Sequence, residues 1–68
     1  MATNLKEGQI LKHKLSGRYI KVLAIHNFKN LETNEEKLFC TYYWCGFGLV
    51  GTDLAENIER YYDVYEDV

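Results

Sequence analysis

Four side chains in this sequence have the chemistry to hold a metal ion: His13, His26, Cys40 and Cys45. Imidazole and thiolate suit a tetrahedral zinc site when the ligands arrive in closely spaced pairs. The spacing argues against it. Four residues separate Cys40 from Cys45, at the loose end for a zinc knuckle, and the two histidines lie thirteen apart. Cys40 also alternates with Leu38 and Tyr42 on an apolar face, where a free cysteine behaves as a small hydrophobe. No metal site is expected.

Covalent catalysis would need a Cys or Ser activated by a nearby base. Cys45, beside Trp44 at a glycine-flanked turn, is the thiol expected to be exposed, and nothing in the spacing brings a histidine to it. The paired carboxylates Glu35-Glu36 and Glu66-Asp67 fall in a loop and at a terminus, where neighbouring acids are ordinarily just solvated. Gly46-Phe47-Gly48 lacks the lysine and the helix that a phosphate-binding loop requires. At 68 residues the chain also offers little concave volume for a buried substrate. It is expected to be no enzyme and to use no cofactor.

The elements that must carry these residues read as short strands. With 47% hydrophobic and 26% charged residues, the composition is that of one small globular domain spanning residues 1–68. No apolar run approaches the roughly 18 to 20 residues that span a bilayer. The opening Met1-Ala2-Thr3-Asn4-Leu5-Lys6 lacks the apolar core of a signal peptide. Two cysteines are too few for a disulfide scaffold. A soluble, cytoplasmic protein without membrane contact is expected.

Proline is absent, so glycine and Asn/Asp must make the turns. Gln9 to Leu15 reads as a first strand with Leu11, His13 and Leu15 on one face. Ser16-Gly17 then turns the chain into a second strand, Arg18 to His26, the two forming a hairpin. In that strand Ile20, Val22 and Ala24 face one way and Tyr19, Leu23 and Ile25 the other. Both faces are apolar, which predicts a central strand. Residues 27–35 read as an exposed loop with a turn near Thr33-Asn34.

Alternation resumes from Glu36 to Trp44, with Leu38, Cys40, Tyr42 and Trp44 on one face. Leu49-Val50 make a short fourth strand before Gly51. Thr52 or Asp53 can cap a helical turn over residues 53–60, Asp53 completing a capping box with Glu56. A last strand covers residues 61–66.

Five short strands with a helical turn before the last is the order of an SH3-like barrel, and all-β is the predicted class. The stretch Gly8-Gln9-Ile10-Leu11-Lys12-His13-Lys14-Leu15-Ser16-Gly17, followed by Tyr19-Ile20-Lys21-Val22, resembles the opening of many short bacterial and phage SH3-like or KOW-like barrels. The ending Glu59-Arg60-Tyr61-Tyr62-Asp63-Val64-Tyr65 is similar in spirit to their closing strand. The resemblance implies a fold and a mobile-element setting, and it transfers no functional residue.

Function must then come from the surface. Residues 1–30 carry a net +5 and residues 31–68 a net −7. Such an imbalance can orient a charged partner, unless the two halves neutralise each other once folded. Lys12, Lys14, Arg18 and Lys21 on the first hairpin, with Tyr19 among them, combine backbone-neutralising charge with a stacking surface for nucleic acid. The acidic overall balance opposes that alternative.

A protein partner is favoured, met by Tyr43, Trp44 and Phe47 around the glycine-rich hairpin and by Glu59, Tyr61, Tyr62, Asp63 and Tyr65 near the end. Exposed Tyr and Trp are favoured contact residues. An acidic, tyrosine-rich surface suits a basic partner, and a small mobile-element protein inhibiting host machinery is one form this takes. An unpaired edge strand leaves homodimerisation open.

Overall fold

The computed structural model describes residues 3–68. Ile10–His13 (β1) and Tyr19–Lys29 (β2) form the expected hairpin, with Leu11 opposite Ile20 and Lys12 opposite Tyr19. His13 N donates to Arg18 O at 2.8 Å, and Gly17 takes a φ of +72° that a side chain would resist. The first strand is shorter than its alternation predicts. His13 Nδ1 accepts from both Leu15 N and Ser16 N at 3.1 Å, so the chain turns before Leu15 reaches the core. Leu15 is 88% exposed, while Leu11 is 1% exposed.

β2 lies at the middle of the sheet, as its two apolar faces predict, but its faces are not constant. Val22 stands opposite Tyr42 and Ala24 opposite Thr41, leaving Leu23 as the extra residue of a bulge. One extra residue reverses every side chain after it. Ile25, and not the expected Ala24, therefore packs against the core with Ile20 and Val22, and Leu23 is exposed. The strand also runs past His26 to Lys29, so Asn27, Phe28 and Lys29 are not loop. Glu36–Trp44 (β3) supplies their partners, with Lys29 opposite Glu36 as an oppositely charged pair. The turn near Thr33-Asn34 is present, and Asn34 adopts a φ of +63°.

β3 has the predicted bounds and the predicted inner face of Leu38, Cys40, Tyr42 and Trp44. Leu49–Leu54 (β4) is longer than expected because its ladder with β3 continues through Gly51 to the pair Phe39–Leu54. Neither Thr52 nor Asp53 caps the helix that follows. Asp53 Oδ1 accepts from Leu54 N at 2.7 Å and from Asn57 Nδ2 at 3.1 Å, and Ala55–Tyr61 (α1) begins after an extended Leu54 with no side-chain cap. Burial of Ala55 and Ile58 on the core holds this single short helix instead. Tyr62–Glu66 (β5) completes the chain's secondary structure.

All neighbouring strands are antiparallel in one five-stranded sheet of order β4-β3-β2-β1-β5. That order, with the helix between β4 and β5, is the SH3-like arrangement, and the fold is all-β in class. The core is Leu5, Leu11, Ile20, Val22, Cys40, Ala55 and Ile58, flanked by Ile25, Leu38, Tyr42, Trp44 and Tyr62. One polar side chain, Gln9, is buried with it at 2% exposure. Both heavy atoms of its amide have a partner. Gln9 Oε1 accepts from Lys6 N at 2.8 Å and Nε2 donates to Asp67 Oδ1 at 3.0 Å.

Candidate binding surfaces

The pairing of β1 with β5 decides how the two charged halves of the sequence meet. Lys12 stands opposite Asp63 and His13 opposite Tyr62, and Lys14 Nζ lies 3.8 Å from Asp63 Oδ1. The basic candidates Lys12 and Lys14 thus lie beside the acidic candidate Asp63. Tyr65 packs edge-on against Tyr19 with ring centroids 4.9 Å apart, and Lys12 Nζ sits 5.8 Å from the Tyr19 ring centre. A phosphate backbone reaching Lys12 or Lys14 would meet the Asp63 carboxylate beside them. Lys21 lies further along the same sheet, opposite Tyr43.

The aromatic candidates divide by burial. Tyr62 and Trp44 are half-buried against the core, while Tyr61, Tyr65 and Phe47 are exposed and Tyr43 only just so. Tyr61 stacks parallel to the His13 ring and Tyr62 meets that ring edge-on. Burial, reinforced by the nearby Tyr42 and Asp53, pushes the Tyr62 phenol up from its ordinary value. On the β3–β4 side Phe47 covers Trp44 edge-on, and the Arg18 guanidinium lies 5.2 Å from the Phe47 ring centre. The Arg18 side chain is therefore placed over the glycine-rich hairpin.

Glu59 has a different occupation from the one its sequence position suggests. Its Oε1 accepts from Thr3 Oγ1 at 2.6 Å and from Asn4 N at 2.7 Å, anchoring the segment that carries buried Leu5. Around it the structure assembles acids that the sequence keeps far apart. Glu35, Glu36, Glu56 and Glu59, with Lys37 and Thr3, surround a groove of about 280 Å³ floored by Leu38, Leu54 and Ala55. By sequence alone Glu35-Glu36 read as solvated neighbours. The sole signal for the groove is the match of two separated acidic pairs, Glu35-Glu36 and Glu56-Glu59, which only the β3–α1 packing joins.

The residues with catalytic chemistry are placed in separate environments. Cys40 is fully buried, and its burial, with Asp53 adding to it, pushes the thiol up to about 11. His13 spends Nδ1 on backbone amides, and His26 Nε2 lies 3.1 Å from Thr41 Oγ1, which in turn lies 3.2 Å from Thr52 Oγ1. Cys45 is half-buried and unbonded to Cys40, both being free thiols. Among the described residues, no three His, Cys, Asp or Glu side chains are grouped to hold a metal ion, and no helix is long and apolar enough to cross a membrane. Comparison with protein-family models, with curated proteins and with solved structures finds no match.

Proposed function

We infer that this protein is a non-catalytic binding module that acts through protein–protein contacts and takes a basic partner. The observation that carries the reading is the groove between β3 and α1. Its floor of Leu38, Leu54 and Ala55 suits the aliphatic stem of a lysine or arginine, and its glutamate rim suits the charged head. A nucleic-acid-binding protein is a partner class with such side chains, and occupying its basic surface would make this chain an inhibitor.

Nucleic acid remains the competing reading, carried by Lys12, Lys14, Arg18, Tyr19 and Lys21. Its support is weakened by Asp63 beside Lys12 and Lys14 and by Arg18 lying over Phe47. One paired titration separates the two. The protein is titrated with an arginine- and lysine-rich peptide and with single- and double-stranded DNA and RNA, each at two salt concentrations. The proposed function expects saturable peptide binding that a Glu36→Lys/Glu56→Lys double variant loses without a change in melting temperature, since both side chains are exposed. Saturable nucleic-acid binding that weakens steeply with salt and disappears in Lys12→Glu/Lys14→Glu would replace it.

A further inference from the structure

The two edges of the sheet are chemically unlike. β5 carries Asp63 and Glu66 and is interrupted at Tyr65, where Ile10 pairs with Glu66 but Leu11 pairs with Val64. Charges and bulges of this kind keep an edge from pairing with another chain. β4 has almost no such protection. From Leu38 to Thr52 the sequence has no charged side chain, although charged residues are 26% of the whole, and Asp53 is the single charge within β4. Phe47, Leu49 and Val50 are 57%, 61% and 62% exposed along this edge and its turn. The strand is straight in register, pairing with β3 without interruption from Leu49 to Leu54.

We propose that β4 pairs antiparallel with β4 of a second copy of this chain, about a two-fold axis at Val50, joining the two sheets into one. A two-fold axis through an antiparallel pair sets one residue opposite itself and its neighbours opposite each other. Centred on Val50, it places Val50 against Val50 of the other copy and Leu49 against Gly51 of the other copy. Both fits are favourable. Val50 shares its outer face with Tyr43, directly opposite on β3, so the two valines extend an existing apolar row. At Gly51 the Tyr42 ring lies so close that an added Cβ would stand 2.9 Å from it, and the incoming leucine meets that ring over a residue without a side chain.

Charge permits a second copy on this edge. A self-paired edge must avoid setting like charges opposite one another, and residues 48–52, which face each other in this register, are all neutral. The acidic β5 strands then fall at the two far ends of the joined sheet, since β4 and β5 are its opposite edges. The groove rimmed by Glu36 and Glu56 shares only Leu54 with β4, outside the residues 48–52 that face each other in the dimer, so the dimer stands or falls independently of the basic-partner reading.

Sedimentation of the full chain from about 10 μM to about 1 mM tests the proposal, because a six-residue edge covers less than a standard interface and a weak dimer is expected. Wild type should shift from monomer to dimer across that range. Val50→Lys, which sets two lysines face to face, should weaken the dimer by roughly tenfold or more. Val64→Lys on the β5 edge should leave it unchanged. In a Cys45→Ser background, Val50→Cys should form a disulfide-linked dimer under mild oxidation. Circular dichroism confirms that each variant is folded. A chain that stays monomeric throughout, or a dimer indifferent to Val50→Lys, overturns the proposal, and the first result would leave the edge to a strand from another protein.

Discussion

Cys40 and Cys45 have the same side chain and opposite chemistry, and their difference is one of position on the pleat. Cys40 alternates into the core, where the thiolate would lose its hydration, whereas Cys45 lies in the turn after β3. Alkylation of the native protein near neutral pH is expected to modify Cys45 and to reach Cys40 only after denaturant is added, as mass spectrometry of the two peptides would reveal. The same burial makes stability depend on alkaline pH. The Cys40 thiol moves from 9.0 to about 11 on folding, so the folded state binds more protons between those values. Stability is then full below pH 9.0 and falls as the pH rises through about 11. The loss is on the order of 3 kcal/mol at most, with the raised Tyr62 phenol acting in the same direction. Urea midpoints measured across this range should fall, and Cys40→Ala should flatten the slope; an unchanged slope would put the dependence on Tyr62 instead.

Among the elements, the β1–β2 hairpin has the most to teach about local competition. Its alternation points Leu11, His13 and Leu15 the same way, and a strand continuing to Leu15 would have buried all three. The His13 ring intervenes by accepting two backbone amides, and the strand stops. Leu11→Ala is expected to cost about 2–4 kcal/mol, as truncation of a fully buried leucine does. Leu15→Ala should stay within about 0.5 kcal/mol of wild type. Chemical denaturation of the pair checks this, and comparable losses from both would mean that Leu15 is covered in solution. β2 illustrates a second local event, because the bulge at Leu23 redirects Ile25 onto the core and lets one strand serve the whole width of the sheet.

At the scale of the molecule, the beginning and the end of the chain are fastened together. β1 pairs with β5, Glu59 holds Thr3 and Asn4, and buried Gln9 bridges Lys6 to Asp67. The Gln9 amide and the Val68 amide lower the Asp67 carboxyl below its usual range. Gln9→Ala removes the acceptor of the Lys6 amide and empties a buried site at once. It is expected to cost about 1–3 kcal/mol and to increase hydrogen exchange near both ends together. Exchange rising only around Lys6 would mean that the bond to Asp67 contributes little. This closure also sets part of the +5 half of the sequence against part of the −7 half, with Lys12 and Lys14 of the first hairpin beside Asp63 of β5.

Much of this architecture was legible because strands announce themselves by alternation. The bounds and inner face of β3, the hairpin at Ser16-Gly17, the turn at Asn34 and the helix before the last strand all follow from side-chain period and turn chemistry, which are local. The all-β class and the SH3-like order follow from the number and sequence of those elements. What the sequence could not contain is anything set by partners distant along the chain. The extension of β2 through Lys29 required β3 opposite it, the bulge at Leu23 required the register of that pairing, and β4 grew only because β3 offered it a ladder. The same holds for function. Lysines and tyrosines could be named as candidates, but their meeting with Asp63, the anchoring of Glu59 and the gathering of four glutamates around an apolar groove are consequences of packing. Charge in a sequence fixes what a surface can attract, and only the tertiary structure decides which charges share that surface.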